Sequence, residues 1–399
     1  MNFRESADYI DRTGMFGIKL GLEQTVRLFE LSGLDSKKIK FLHIAGTNGK
    51  GSVGAMLQQM LRAAGFKVGF YTSPHLISIR ERFRVNGRAI SEEKFAGIVN
   101  RLVPAAEQMR LDGAGPTYFE LTTALALAFF IDEKVDFAVW ETGMGGRLDA
   151  TNAVIPEAAV ITNIAMDHTQ YLGDTLAKIA GEKAGIIKPR VPVFAGIMPD
   201  EALAVIRKKA QELDAPFEQS GSEPCHNIEL PLAGAMQKRN FALAEKVMEH
   251  LAGRFGFDLI PALDGVKNVT WPGRIQQVNS KLWLDGGHNP DGALALTEAL
   301  KGHKLSVVFG AFRDKDAAKE LAFLERIAAE FVFVPVPGHG RACYSFEELA
   351  AMTQTPSRRA SDVEDAVNSC AGETLVTGSL YLVAVALEKF YDVDKVLNI

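Results

Sequence analysis

The stretch Gly46-Thr47-Asn48-Gly49-Lys50-Gly51-Ser52 combines residue types that together can hold a phosphate. An apolar run (Phe41, Leu42, Ile44) leads into it, and Val53, Met56, Leu57, Met60 and Leu61 follow at helical spacing. The glycines therefore sit where a strand turns into a helix. At such a junction the first helical N–H groups are unpaired and the dipole end is positive, so a glycine-rich backbone can close around an anion. Lys50 adds an ammonium for terminal phosphates, and Ser52 a hydroxyl for a metal. The gap is shorter than in the common phosphate-binding loop and a glycine follows the lysine; the alternative is a glycine-rich turn with a solvated lysine.

Four more stretches carry candidate chemistry. In "VWETGMGGRLDATN", Glu141 ends an apolar run and three glycines follow (Gly143, Gly145, Gly146). Ligands of open parallel sheets collect at such strand ends, although a loop acid satisfied by its own backbone reads the same way. In "ITNIAMDHTQYLGDT", Asp167 and His168 lie just past another strand. Glu141, His168 and a hydroxyl such as Ser73 could share a magnesium ion with phosphate oxygens, although histidine is an unusual magnesium ligand and more often structural. In "IAGEKAGIIKP", Lys183 stands among Ile179, Ala180, Ile186 and Ile187, and periodicity alone favours a solvated lysine pointing out. In "WLDGGHNPDGALAL", Asp285 and His288 repeat the strand, turn and helix pattern. There a carboxylate can meet ribose and an imidazole a phosphate, or Asp285 can simply cap a helix beside a partly buried histidine. With Arg274 nearby, a nucleotide held between two domains is a coherent expectation.

The elements that must position these residues alternate. "KFLHIAG", "KVGFYT", "VDFAVWE", "AAVITNI" and "VPVFAG" read as strands with helices between them, which predicts an α/β fold with a mainly parallel, doubly wound sheet. The pattern lapses over "SGSEPCHNIELPLAG", read as a loop with short edge strands, and the helix "QKRNFALAEKVMEHLAG" follows. "VKNVTWPGRIQQV" reads as a linker or domain entry. Beyond it "LWLDGG", "LSVVFGA", "FVFVPV" and "TLVTGS" are strands of a second, smaller α/β domain. The boundaries expected are 1–268, a linker at 269–278, and 279–399.

With 399 residues, 47% hydrophobic, the chain can bury the cores of two domains. Its 44 basic and 49 acidic residues give a net charge of −5, and the basic residues are scattered, which speaks against nucleic-acid binding. Three widely spaced cysteines show neither zinc spacing nor a disulfide framework. The N-terminus lacks a secretory core, and the apolar stretch "LTTALALAFFI" is shorter than the ~20 residues a membrane span needs. The expectation is a cytoplasmic monomer without membrane or nucleic-acid partners.

In type and order these motifs resemble the Mur ligase superfamily, and more closely the folylpolyglutamate synthase/dihydrofolate synthase family. The matching stretches are "GIKLGLE", "HIAGTNGKGSV", "TSPHL", "ERFRVNG", "ETGMGGRLDATN", "ITNIAMDHTQYLG", "IAGEKAGIIK", "WPGRIQ", "LDGGHNPDGA" and "VTGSLYL". The resemblance implies a larger N-terminal P-loop-type ATPase domain that also takes the folate, and a smaller C-terminal Rossmann-like domain. It further implies that Gly46 to Ser52, with Lys50, bind ATP phosphates, and that Ser73, Glu141 and His168 bind magnesium. Lys183 matches a lysine carbamylated in many relatives, a change that lets it ligate a second magnesium and reverses the solvated reading. Asn240, Arg274, Asp285 and His288 match adenine, ribose or phosphate positions. Thr72, Pro74 and His75 fall in the acceptor-side motif, and Arg313 and Ser379 in stretches near the incoming glutamate.

The implied reaction uses ATP and Mg2+ to join L-glutamate to a dihydropteroate or reduced folate carboxylate through an acyl phosphate, with Lys50, Glu141, His168 and Lys183 as the catalytic set. Both acceptors are expected to serve. The rivals are a superfamily ligase with another acceptor, a non-catalytic nucleotide-binding module and a plain P-loop hydrolase. The chain departs from the family pattern at Met236-Gln237, where His-Gln is usual, at "GHGRACYS", where Pro-Arg-Ala is usual, and at Met144 in place of leucine.

Overall fold

The computed structural model describes residues 1–14, 21–337 and 341–399. Parts of "GIKLGLE" and "GHGRACYS" lie outside the described residues. The chain divides into two compact units: Met1–Glu229 with Arg239–Val269, and Leu230–Lys238 with Thr270–Leu397.

Among the described residues the first unit holds an eight-stranded sheet, ordered β4-β3-β2-β5-β1-β6-β7-β8. Its strands are β1 (Lys40–Ala45), β2 (Val68–Tyr71), β3 (Phe83–Val85), β4 (Arg88–Ala89), β5 (Phe137–Glu141), β6 (Ala158–Ile161), β7 (Val193–Ala195) and β8 (Phe217–Gln219). The β2–β3 and β3–β4 pairs are antiparallel and the rest parallel. β1 is central and almost wholly buried, as expected of a parallel strand covered on both faces. In register Ile44 faces Glu141 and Ala45 faces Ile161, so the carboxyl ends of β5, β1 and β6 are level. Loops carrying the candidate residues leave from that edge.

The apolar stretch 121–131 forms most of the helix Tyr118–Asp132, which is buried nearly all round. A helix apolar on nearly all sides belongs in a core, and here it packs with Phe95, Val99 and Trp140. A capping box starts it: Thr117 Oγ1 accepts from the Glu120 N–H (3.3 Å) and the Glu120 carboxylate accepts from the Thr117 N–H (2.7 Å). Among the described residues no helix is long and apolar enough to cross a membrane.

The second unit holds a six-stranded sheet, ordered β13-β12-β11-β14-β10-β9. Its strands are β9 (Gln276–Asn279), β10 (Leu282–Leu284), β11 (Leu305–Phe309), β12 (Ala328–Phe333), β13 (Ser357–Arg359) and β14 (Thr374–Thr377). Only β9 runs antiparallel to its neighbour. Residues 220–233 contain no helix or strand, whereas the helix read after them is present as Ala235–Phe255.

Candidate active site

The glycine loop is shaped by the segment that leaves β6. Thr47 N–H donates to Asn163 O (3.0 Å), Asn48 N–H to Asn163 Oδ1 (2.8 Å), and Thr162 Oγ1 donates to Asn48 O (2.6 Å). Gly46 and Gly49 have φ of 155° and 83°. A Cβ at Gly46 would lie 1.8 Å from Thr162 Oγ1, and one at Gly49 2.7 Å from Asn240 Oδ1. Both positions thus need glycine for backbone shape and for space. The helix Lys50–Ala63 starts here with no side-chain cap. Its first N–H groups, from Lys50 to Ser52, therefore have no partner four residues back. Thr47 and Asn48 have already spent theirs inside the chain.

Two ammonium groups meet at one carbonyl. Lys50 Nζ donates to Gly46 O (3.1 Å) and Thr47 O (3.3 Å), while Lys183 Nζ donates to Gly46 O (2.8 Å). The solvated reading of Lys183 is wrong: the side chain, on the helix Leu176–Ala184, is 4% exposed. It lies on the face that carries Ile179 and Ala180 into the core. Burial, reinforced by the Lys50 charge and partly offset by Asp167 and Asp149, brings its pKa down to about 7.

Glu141, 3% exposed at the end of β5, accepts from the Thr72 hydroxyl and from the Ser73 N–H (3.3 Å). Pro74 follows through a cis peptide bond, and His75 Nδ1 accepts from Arg82 Nε (2.9 Å). Ser73 and Glu141 offer hard oxygen donors on adjacent loops, a set that suits magnesium. His168, with φ 49° and its side chain 41% exposed, stands 4.0 Å from the Asp167 carboxylate, so it is the more solvated member of the expected set.

Asp149 is a residue that sequence reasoning passed over. Its Oδ2 accepts from the N–H groups of Gly143 (2.9 Å) and Met144 (2.8 Å), and its Oδ1 from Thr151 N–H (3.0 Å). Thr151 Oγ1 meets the buried His43 Nε2 (2.9 Å). This network fixes the glycine run behind Glu141. Burial raises the Asp149 pKa against the opposing effect of these hydrogen bonds. The aspartate's place inside "GMGGRLD" was the available signal, since a short acid near glycines often folds back on their amides. A separate group of possible ligands, Cys225, Glu245 and Glu249, is held by the chain itself: Glu245 accepts from Cys225 N–H (2.7 Å) and His226 N–H (2.9 Å), and Lys246 pairs with Glu249 (2.7 Å).

In the second unit the expected residues other than Arg274 follow three adjacent parallel strands. After β10, buried Asp285 accepts from Ile275 N–H (3.0 Å) and Gly287 N–H (2.8 Å). It does not cap the helix Pro290–Ala299; Asn289 does, by accepting from Gly292 N–H (2.8 Å). Burial raises the Asp285 pKa and the Arg274 charge opposes that shift. Arg274 Nη1 donates to Gly273 O (3.0 Å), and His288 Nδ1 lies 2.9 Å from Gly286 O. Ser379, after β14, caps the helix Leu380–Phe390 through Tyr381 N–H (3.2 Å) and is buried. Arg313, after β11, is exposed and bonded to both Glu348 oxygens (2.6 and 2.7 Å).

Comparison with known proteins gives the family. Residues 44–229 match the Mur ligase middle domain. The chain is 36% identical to the dihydrofolate synthase/folylpolyglutamate synthase of Bacillus subtilis, over 96% of this chain and 97% of that protein. Among solved structures, a Mycobacterium tuberculosis folylpolyglutamate synthase complexed with ADP and AMPPCP superposes with a TM-score of 0.87 at 30% identity, covering 98% of this chain and 99% of that one. Escherichia coli FolC in complex with DHPP and ADP gives 0.86 at 31% identity, covering 98% and 97%. At this identity and coverage, the chain belongs to the folylpolyglutamate synthase/dihydrofolate synthase family of Mur ligases.

Proposed function

We propose that the protein is an ATP-dependent ligase that joins L-glutamate to the carboxylate of a folate or of dihydropteroate, serving both acceptors. The observation that carries this reading is the set gathered at one sheet edge: a helix-opening glycine loop, the Lys50 and Lys183 amines on one carbonyl, and buried Glu141. An acceptor carboxylate oxygen attacks the γ-phosphorus of ATP and ADP leaves, giving an acyl phosphate. The glutamate amine then attacks the acyl carbon, phosphate leaves, and the amine loses a proton. Lys50 and the N–H groups of the first helical turn bind the β- and γ-phosphates and oppose the charge on the transferring phosphoryl group.

Ser73, Glu141 and His168 would hold magnesium, joined by Lys183 once carbamylated, and the ion would neutralise phosphate charge there. The lowered Lys183 pKa supports carbamylation, because only the neutral amine adds CO2. Asn240, Arg274, Asp285 and His288 take the remaining nucleotide groups, Thr72, Pro74 and His75 the acceptor side, and Arg313 and Ser379 the glutamate side. In this assignment residues 1–268 serve ATP and folate, 269–278 link, and 279–399 serve glutamate. The three free cysteines accord with a reducing cytoplasm, and gel filtration tests the expected monomer.

The test is phosphate release from ATP with magnesium and L-glutamate, run with 7,8-dihydropteroate, with tetrahydrofolate and with no acceptor, with product masses recorded. Glutamate-dependent release with both acceptors and a one-glutamyl mass gain in each is the expected result. Release without acceptor would point to a hydrolase, and release with neither acceptor would overturn the reading.

A further inference from the structure

The stretch "ERFRVNG" is left without a role by the assignment above, yet it contains a buried cation, Arg82, that forms no ion pair among the described residues. Glu81 and Arg82 are adjacent and both buried, at 3% and 8% exposure. They do not neutralise each other. The Glu81 carboxylate accepts from the N–H groups of Leu76 (3.1 Å), Ile77 (2.7 Å) and Ser78 (2.7 Å), so its charge is spent on shaping the loop after His75. Arg82 donates from Nε to His75 Nδ1 (2.9 Å), and its guanidinium carbon lies 5.3 Å from the centre of the Tyr118 ring. Among the described residues no carboxylate forms an ion pair with it. A guanidinium out of water ordinarily has an anionic partner, because the lost hydration is otherwise uncompensated.

Position says which anion. The Arg82 carbonyl accepts from Thr72 N–H (3.2 Å), and the Thr72 hydroxyl donates to Glu141. Arg82 is therefore fastened to the loop that carries Ser73 and His75, one residue from the strand-end carboxylate. The phosphates of ATP already have Lys50 and the open helix N-terminus on β1. What the β2 side lacks is a cation for the other anionic reactant. With Nε committed, the two terminal nitrogens keep four N–H donors in the planar fork that matches a carboxylate. Tyr118 beside it gives an aromatic surface suited to an aryl acid. Because His75 accepts at Nδ1, a neutral ring carries its proton on Nε2, a second donor on the same loop.

We propose that Arg82 is the anchor for the acceptor's carboxylate and holds it against the Tyr118 ring beside His75. The inference rests on the ligase reading above and adds the group that recognises the acceptor as an acid. Arg82 is a substrate-positioning residue, so its loss acts on acceptor affinity before it acts on turnover.

The experiment begins with the wild-type protein, which must form product with dihydropteroate or tetrahydrofolate; failure with both overturns the ligase reading itself. Arg82→Met and Arg82→Lys are then compared with each substrate varied in turn. The expected result for Arg82→Met is an acceptor KM raised roughly 10- to 100-fold, the scale of a lost hydrogen bond to a charged group, with KM for ATP and glutamate within about twofold. Arg82→Lys, which keeps the charge and loses the fork, falls between. Calorimetric binding of dihydropteroate and of its carboxamide gives a readout that general loosening does not mimic. The wild type prefers the acid, and Arg82→Met binds both alike. Retained preference for the acid in the methionine variant overturns the inference, as does a rise confined to the ATP KM, which would give the guanidinium to phosphate. If the methionine variant does not fold, Arg82→Lys decides by the same acid-to-amide ratio, reduced from wild type if the inference holds and unchanged if it does not.

Discussion

A lysine with a pKa of about 7 is mostly neutral at pH 8 and mostly charged at pH 6, and only the neutral form can become a carbamate. Incubated with 13C-bicarbonate, the protein is expected to show a carbamate carbon signal at pH 8 that disappears by pH 6 and is absent from Lys183→Arg. Because the Lys50 charge is among the causes of that low pKa, Lys50→Met is expected to move the onset of the signal to higher pH. Turnover of Lys50→Ala is expected to fall by about 10²-fold or more, since a positioned charge on the phosphoryl group is lost, while its melting temperature changes little because Lys50 is only half-buried. Unchanged turnover in the folded variant would remove Lys50 from the phosphate site. At this scale the sequence showed residue type but not surroundings. Lys183 among isoleucines looked solvated until its helix was docked, and Arg82 gave no signal because an unpaired cation is recognisable only when every nearby acid can be accounted for.

The apolar strands were legible, because β1, β2, β5, β6, β7, β10, β11, β12 and β14 are apolar runs bounded by turn residues. The strands β3, β4, β8, β9 and β13 went unread: they have two to four residues, and β3, β4 and β13 carry Arg84, Arg88, Arg358 and Arg359. So short a segment shows no period, and it is a strand because a neighbour offers it hydrogen bonds. The loop after β1 was legible as a glycine turn between a strand and a helix, but its dependence on the segment after β6 was not, since Thr162 and Asn163 are more than a hundred residues away. That dependence gives a test. Gly46→Ala sets a Cβ 1.8 Å from Thr162 Oγ1 on a backbone at φ 155°. It is expected to cost about 2–4 kcal/mol, read by urea denaturation, and to abolish phosphate release. Wild-type stability in that variant would mean that the loop yields easily.

The chain leaves the first unit at Glu229, spends Leu230–Lys238 in the second, and returns for Arg239–Val269. The returning helix brings Phe241, Leu243, Val247, Met248 and Leu251 into the core, each nearly or fully buried. A fragment of residues 1–229 is therefore expected to be unstable and to bind a dye for exposed apolar surface, whereas 1–269 is expected to melt cooperatively. Two domains were legible from composition and from the linker-like Pro272-Gly273, but not this interleaving, which leaves no local mark. Acid stability is a further property of the whole fold. Buried His43 has its pKa lowered to about 3, by burial first and by the Lys188 charge second. Below the unfolded value near 6.5 the unfolded chain takes up a proton that the folded one refuses, so stability falls as pH drops from 6.5 towards 3 and is unaffected above that range. His43→Gln is expected to flatten this part of the melting-temperature profile. During synthesis the interleaving becomes a delay. At about 5–20 residues per second, the 40 residues from Leu230 to Val269 take about 2–8 s to emerge. Throughout that interval the nascent first unit holds the sheet edge that carries Lys50 and Glu141 without the helix that completes its core, and the surface awaiting Phe241 and Leu251 is open to a chaperone.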